Sequence, residues 1–115
     1  MKITWPPDDL ASVCGSATLL RQRFGENDAT VMQILTVLHQ ANTMKEVRRF
    51  KFLQLFLITP TGKREGNLLI RHKEIDVNAY LLGDDSKVIA RPDDETTRWL
   101  NQIRQLRITT ITDNT

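Results

Sequence analysis

The tripeptide Arg71-His72-Lys73 is the part of the chain whose residue types most readily suggest chemistry. An imidazole titrates near neutral pH and can carry a proton, whereas the two flanking cations can hold an anionic group. In an extended strand, successive side chains point to opposite faces, so Arg71 and Lys73 would face one way and His72 the other. The three could meet one ligand only with help from neighbouring strands, and a solvated strand end explains them equally well.

Several kinds of site are missing from the sequence. It contains no glycine-rich phosphate loop, no Cys/His pair at metal-binding spacing and no nucleophile elbow, so we expect neither a metal nor a cofactor. His39 ends a predicted helix, where a protonated imidazole suits the helix dipole, and a structural role is the simpler interpretation. Cys14, the single cysteine, lies on the apolar face of another predicted helix. A buried hydrophobe is preferred there over a reactive thiol, which suits a reducing cytoplasm.

The net charge of +2 conceals an uneven distribution along the chain. Residues 44–73 contain eight Lys/Arg and two Glu, a net charge of +6. Residues 74–95 contain seven Asp/Glu and two Lys/Arg, a net charge of −5. This partition favours a positive surface that could meet phosphates or an acidic partner, although solvated charges around a sheet would give the same pattern.

The first half of the chain has the periodicity of helices. Apolar residues at helical spacing predict one helix over residues 9–24 and a second over residues 29–40, whose apolar stripe is Val31, Ile34, Leu35 and Leu38. Gly25 suits the C′ position of the first helix, and Asn27 suits the N-cap of the second. Only Gly25, Glu26 and Asn27 lie between the first helix and the first turn of the second, which predicts an αα-hairpin. Thr43 and Glu46 have the spacing of a capping box, which predicts a short third helix.

The remaining pattern is that of strands. A short first strand is predicted at residues 2–5, and the nearly continuous apolar run at residues 50–58 predicts a buried strand. Further strands are predicted at residues 67–72, 77–82, 87–91 and 106–111, with one or two helical turns within residues 93–102. A tight turn is expected at residues 83–86.

Helices followed by strands indicate an α+β fold, with an N-terminal helical hairpin packed on a mostly antiparallel sheet. The 115 residues are expected to form a single domain over residues 1–115. The sequence holds no apolar stretch long enough to span a membrane, and its first residues do not resemble a signal peptide.

One set of positions in the helical half forms a pattern of its own: Leu10, Cys14, Arg23-Phe24-Gly25, Ala29, Ile34-Leu35, Leu38, Ala41, Thr43-Met44 and Val47. In this pattern the chain resembles the RelE/HigB-type toxins of bacterial toxin–antitoxin systems. The segment from Lys87 to Asp93 is similar to the family's Arg-Leu-Ile-Phe-x-Pro strand. The segment from Ile103 to Asp113 is similar to the family's closing strand. Residues 53–82 cannot be placed in register with the family.

The resemblance implies a microbial RNase-like domain that cuts mRNA in the ribosomal A site through the ribose 2′-OH. It also implies a cytoplasmic protein whose partners are the ribosome, mRNA and a neutralising antitoxin, usually of the helix-turn-helix type. Such cleavage needs cations to stabilise charge in the transition state, together with a base and an acid. The catalytic candidates are Arg64, Arg71, His72, Arg91 and Asp113. The candidate RNA-binding residues are Arg49, Lys51, Lys63 and Lys73.

The carboxyl end departs from the family. The family usually finishes in Tyr-His, which would fall at Asn114-Thr115, and only Asp113 matches the closing motif. Two hypotheses therefore stand: a ribosome-dependent mRNA endonuclease of weak activity, and a non-catalytic relative that binds a protein or nucleic acid. The gyrase-poisoning relatives, which also lack the ribonuclease residues, keep the second hypothesis open.

Overall fold

A computed structural model describes residues 1–58, 66–89 and 101–115 of the chain. Three candidate residues, Lys63, Arg64 and Arg91, lie outside the described residues. So does nearly all of the helical segment predicted at residues 93–102.

Four α-helices occupy the first half of the chain: α1 (Leu10–Cys14), α2 (Ala17–Phe24), α3 (Asp28–Gln40) and α4 (Met44–Val47). The prediction of one helix over residues 9–24 is wrong, because the helix is interrupted between α1 and α2. Ser16 is extended (φ −129°, ψ 120°), and its hydroxyl accepts the N–H of Leu19 as the N-cap of α2. Serine side chains that bond to the backbone in this way favour a helix start over a helix interior.

The link between α2 and α3 is a single 3₁₀ turn, Gly25–Asn27. Gly25 adopts a positive φ of 56°, which confirms its predicted role at the end of the helix. Asn27 occupies the predicted N-cap position of α3, but its side chain makes no capping bond and donates instead to the carboxylate of Asp113, at 3.1 Å. The carboxylate of Asp28 accepts the N–H of Ala29 at 2.7 Å and takes over part of the capping.

The capping box predicted before α4 is only partly present. Thr43 is the N-cap residue, but its hydroxyl makes no capping bond. The Glu46 carboxylate accepts the backbone N–H of Asn42 at 2.5 Å, one residue before the expected partner. The short helix therefore begins where the sequence predicts, but a bond to the N–H of Asn42 stands in place of the expected pair.

Within residues 1–58, 66–89 and 101–115, five strands form one sheet: β1 (Lys2–Thr4), β2 (Gln54–Leu57), β3 (Leu68–His72), β4 (Ile75–Leu82) and β5 (Gln105–Asp113). Their order is β1-β5-β4-β3-β2, with β1 parallel to β5 and every other pair antiparallel. The prediction of a buried strand over residues 50–58 is wrong in extent and burial. Only residues 54–57 are strand, and Phe50, Phe52, Phe56 and Leu57 are exposed.

The helices pack on one face of the sheet, which confirms the predicted α+β class. The α3 stripe of Val31, Ile34, Leu35 and Leu38 is buried, as predicted. It belongs to one core with the inward-facing strand residues Leu68, Ile70, Ile75, Val77, Leu81, Leu106 and Ile108. Alternate strand residues point to the opposite face, against which none of the described helices packs and which we call the uncovered face. No helix among the described residues is long and apolar enough to cross a membrane.

Candidate functional site

The Arg71-His72-Lys73 tripeptide is divided between two faces of the sheet. Arg71 pairs with Asp76 of β4 on the uncovered face, whereas His72 points to the helices and contacts Gln33 of α3. The sequence analysis predicted this separation of Arg71 from His72. It wrongly placed Lys73 with Arg71, because Lys73 lies in the β3–β4 turn with a φ of 53° and not in the strand. The turn directs Lys73 to the same cleft as His72.

Arg71 is held by its neighbours on the uncovered face. Its Nε and one terminal nitrogen donate to the two carboxylate oxygens of Asp76 at 2.7 and 3.1 Å. The guanidinium also lies over the ring of Phe56, 5.7 Å from its centroid. The hydrogen bond from Arg71 is the main reason that the pKa of Asp76 lies below its ordinary value. Arg71 is therefore fixed on the face away from His72, and the two cannot act on the same atom.

A cleft of about 570 Å³ lies between α3 and the segment that follows α4. We call it the aromatic cleft. The described residues that line it include no carboxylate and are Ala29, Met32, Gln33, Thr36, Val37, Gln40, Phe50, Phe52, His72 and Lys73. The two phenylalanines and Met32 are each more than 40% exposed, so the apolar lining faces solvent. Exposed apolar surface that is grouped in a concavity is typical of a binding site.

Three rings form the wall of the aromatic cleft. The rings of Phe50 and Phe52 meet edge to face, with centroids 5.9 Å apart and planes at 77°. Phe52 also lies against His72, with centroids 4.9 Å apart. Because each ring contacts the next, the wall is a connected aromatic surface rather than a single exposed side chain.

Cations alternate with these rings along the chain. Arg49 lines a second, adjoining cleft that shares Phe50 and Gln40 with the first, and Lys51 is exposed between the two phenylalanines. Together with Lys73, three of the four predicted RNA-binding residues thus lie in or beside the aromatic cleft; the fourth, Lys63, is outside the described residues. Arg49 also has an acidic neighbour, since Glu46 lines the adjoining cleft.

His72 is fixed by polar contacts on the helix side. Its Nε2 atom lies 2.9 Å from Oε1 of Gln33, so the tautomer with a proton on Nε2 donates to that amide. Burial is the main cause that lowers the pKa of His72 below its ordinary value, and the charge of Lys73 lowers it further. A backbone hydrogen bond with Phe52 opposes both. The neutral imidazole is therefore favoured in the folded chain at neutral pH.

The lowered pKa of His72 predicts a pH dependence of stability. The pKa of His72 is lower in the folded chain than its value of about 6.5 in the unfolded chain. At pH values between these two, the unfolded chain binds more protons than the folded chain. The contribution of the neutral His72 imidazole to the free energy of unfolding is therefore complete above that pH range. It is lost as the pH falls through the range. We expect the free-energy advantage of the wild type over His72→Gln to shrink on acidification in urea melts. Parallel pH curves for the two proteins would contradict this prediction.

Asp113 lies on β5, across β4 from His72. Ile75 of β4 pairs with His72 on one side and with Asp113 on the other, which puts the two candidates about 10 Å apart at the usual strand spacing. Hydrogen bonds from Thr115, and then from Asn27, lower the pKa of Asp113 and keep it ionised. The described residues therefore bring His72 and Lys73 together, but place Asp113 and Arg71 apart from them.

Gln33, Phe50 and Phe52 are site residues that the sequence patterns above do not predict. The apolar run at residues 50–58 predicts a buried strand, but residues 49–52 alternate basic and aromatic residues, Arg49-Phe50-Lys51-Phe52. That alternation is a signal of nucleic-acid binding that could have identified the segment. Within the described part of the chain, no group of His, Cys, Asp and Glu side chains is arranged to hold a metal ion.

Comparison of the chain with protein-family models, with curated proteins and with solved structures gave no match in any of the three. The fold and the aromatic cleft therefore carry the functional argument.

Proposed function

We propose that this chain is the toxin of a toxin–antitoxin pair, which inhibits translation by binding mRNA and cleaves it weakly. The observation that carries the proposal is the aromatic cleft, where exposed Phe50 and Phe52 stand beside Lys51, Lys73 and His72. The helices on a mostly antiparallel sheet also agree with the architecture that the resemblance to RelE/HigB-type toxins implies.

Single-stranded RNA is the ligand that best fits this combination of groups. Unpaired bases stack on exposed aromatic rings, and lysine or arginine side chains hold the backbone between them. A lining without carboxylates lets the phosphates approach without repulsion. Paired bases would not offer their faces to Phe50 and Phe52, so the cleft favours an unpaired strand over a duplex.

Weak cleavage follows from the positions of the proton carriers. A base and an acid must both reach the scissile phosphate, and each contributes a factor of about 10²–10⁴. His72 bonds to Gln33, whereas Asp113 lies across β4 and Arg71 lies on the other face. The same separation supports the second candidate function, in which the chain binds RNA or a protein and does not cleave.

The antitoxin, the ribosome and a cytoplasmic location belong to this proposal. A small helix-turn-helix protein encoded beside this chain would be the expected antitoxin. Expression of the chain alone should arrest growth, and co-expression of that neighbour should restore it. Growth that is unaffected by the chain would contradict the toxin assignment while leaving RNA binding to be measured directly.

Phe52→Ala tests the stacking surface. Loss of one base–aromatic stack is worth about 1–3 kcal/mol, so we expect a fall of about 5–150-fold in affinity for a fluorescent single-stranded RNA. Phe56→Ala is the matched control, because Phe56 is equally exposed but lies with Arg71 on the uncovered face. Equal affinities for the two variants would show that RNA does not use the aromatic cleft.

Lys51→Glu/Lys73→Glu tests the cations. A plot of log affinity against log salt concentration has a negative slope, and each lost phosphate contact reduces its magnitude by about 0.7 for a single strand. The slope of the double variant should therefore be smaller in magnitude by about 1.4. Lys2→Glu/Arg107→Glu carries the same charge change on β1 and β5, at exposed positions away from the cleft. A salt slope that falls equally in both proteins would indicate attraction by net charge without a site.

A further inference from the structure

We propose that the adjoining cleft beside Phe50 is a guanine-binding subsite, in which one nucleotide of the RNA is read while its neighbour lies in the aromatic cleft. The inference rests on the proposed function, because it names the base that the same RNA strand presents. The adjoining cleft has a volume of about 410 Å³, and the described residues that line it are Gln40, Ala41, Glu46, Arg49 and Phe50.

One turn of the chain carries the three residues that can contact a base. Glu46 lies in α4, and Arg49 and Phe50 follow within three residues of its end. The N–H of Arg49 donates to the carbonyl of Glu46, and that of Phe50 donates to the carbonyl of Val47, both at 3.1 Å. Val47 is completely buried and anchors this turn to the core. The backbone therefore fixes the relative positions of the three residues before a ligand binds.

The Glu46 carboxylate is a fixed hydrogen-bond acceptor. Its Oε2 atom accepts the backbone N–H of Asn42 at 2.5 Å, and its Oε1 atom lies 3.5 Å from the side-chain amide nitrogen of the same residue. A carboxylate has about four lone-pair positions, so both oxygens can still accept a hydrogen bond from a ligand. The carboxylate therefore offers two adjacent acceptors to the cleft.

Glu46 and Arg49 bring opposite charges to one cleft without pairing with each other. Neither of the two ion pairs that form among the described residues uses Glu46 or Arg49. The carboxylate only accepts hydrogen bonds, and the guanidinium only donates them. A ligand that satisfies both must carry donors on one edge and acceptors on another. A phosphate has no such donors and is repelled by Glu46, so the cleft suits a base and not the RNA backbone.

Guanine is the base whose edges match this arrangement. Its N1–H and N2–H groups are adjacent donors, which the two oxygens of Glu46 can accept together. Its O6 and N7 atoms are adjacent acceptors, to which an arginine donates two hydrogen bonds. Adenine, cytosine and uracil each carry a single N–H-bearing atom on the Watson–Crick edge, flanked by a lone pair. They therefore leave one carboxylate oxygen unpaired or repelled.

Phe50 joins this subsite to the aromatic cleft. Its ring lines both clefts and is 41% exposed, so a base in the adjoining cleft can stack on it. Its plane makes an angle of 77° with that of Phe52, and the two centroids are 5.9 Å apart. Two bases that stack on these rings are splayed apart, as unpaired bases are when a protein reads their edges. The strand therefore places guanine on Phe50 and a neighbouring base on Phe52.

Single-stranded RNAs that differ at one position test the selection of guanine. A fluorescent oligouridine carries one central guanosine, adenosine or cytidine, or no substitution, and anisotropy titrations give its affinity for the wild-type chain. A bidentate contact discriminates between bases by about 5–150-fold, so the guanosine strand should bind tighter than the other three by that factor. Inosine, which lacks the N2 amino group, and 7-deazaguanosine, which lacks N7, should each lose part of this gain.

Glu46→Gln tests the carboxylate. The variant keeps the shape of the side chain and an oxygen that can accept from Asn42, but it offers one acceptor in place of two. It should lose the preference for guanosine, and its binding of oligouridine in the same titrations shows that it is folded. Glu26→Gln is the matched control, because it makes the same change of charge at an exposed position of the 3₁₀ turn. This control should keep the preference.

The outcomes separate the subsite from RNA binding itself. Equal affinity for all four strands, or tighter binding of the adenosine or cytidine strand, overturns the guanine subsite and leaves RNA binding intact. A guanosine preference that survives Glu46→Gln overturns it as well. A wild-type chain that binds none of the strands overturns the proposed function and the subsite together.

Discussion

Replacement of Leu38 by alanine is expected to lower the free energy of unfolding by about 2–5 kcal/mol. Leu38 is completely buried on the apolar stripe of α3 and belongs to the core that joins the helices to the sheet. Its truncation removes apolar surface from the core and leaves a cavity that tightly packed neighbours fill only in part. Urea melts followed by circular dichroism at constant pH measure the change.

Leu19→Ala is the matched control for this substitution. Leu19 lies on α2 and is 41% exposed, so its truncation should cost much less than that of Leu38. The comparison keeps the chemical change and the secondary structure the same and varies only burial. If the two variants lost the same stability, or if Leu38→Ala cost less than about 0.5 kcal/mol, the α3 stripe would not face the core.

Addition of the missing proton carriers at the carboxyl end is expected to accelerate RNA cleavage. Asn114 and Thr115 occupy the positions at which the resembling family ends in Tyr-His. The backbone N–H of Asn114 donates to the carbonyl of Glu74 at 2.8 Å, which holds the carboxyl end against the turn that carries Lys73. Asn114→Tyr/Thr115→His therefore adds a phenol and an imidazole next to the β3–β4 turn, where the side chain at position 114 lies near Asp76. We expect cleavage of mRNA on translating ribosomes to rise by about 10²-fold or more over the slow native chain.

Asn114→Phe/Thr115→Asn is the control for that variant, because it adds similar side chains that transfer no proton. An equal rise in the control would assign the effect to binding and not to acid–base catalysis. Fast cleavage by the native chain that survives both His72→Ala and Asp113→Ala would show that the site lies elsewhere.

The sequence determined the elements whose signals are local. The α3 stripe, the helix end at Gly25 and the approximate positions of β1, β3, β4 and β5 all followed from periodicity and turn residues. So did the mostly antiparallel sheet with helices on one side, because helices followed by strands leave few other arrangements. The opposite orientations of Arg71 and His72 also followed, since they depend only on the geometry of one strand.

Tertiary structure alone decided which apolar surfaces face water. The run from Phe50 to Ile58 has the composition of a buried strand, yet among the described strands β2 lies at the edge of the sheet and pairs with β3 alone. The position of a strand within a sheet depends on pairing with residues far along the chain, which no local pattern encodes. Phe50 and Phe52 precede β2 and lie in the loop between α4 and β2, so the path of that loop beside α3 places their exposed rings in the cleft.

For two polar residues, long-range contacts gave an outcome different from the one that the local sequence predicts. Asn27 bonds to Asp113, 86 residues further along the chain, in place of capping its own helix. Lys73 joins His72 in the aromatic cleft because the turn between β3 and β4 gives it a positive φ. A side chain that can bond equally well to several partners bonds to the one that folding brings near. The sequence therefore determined the residue types of the site, whereas the packing of the strands against α3 determined which of those residues lie together.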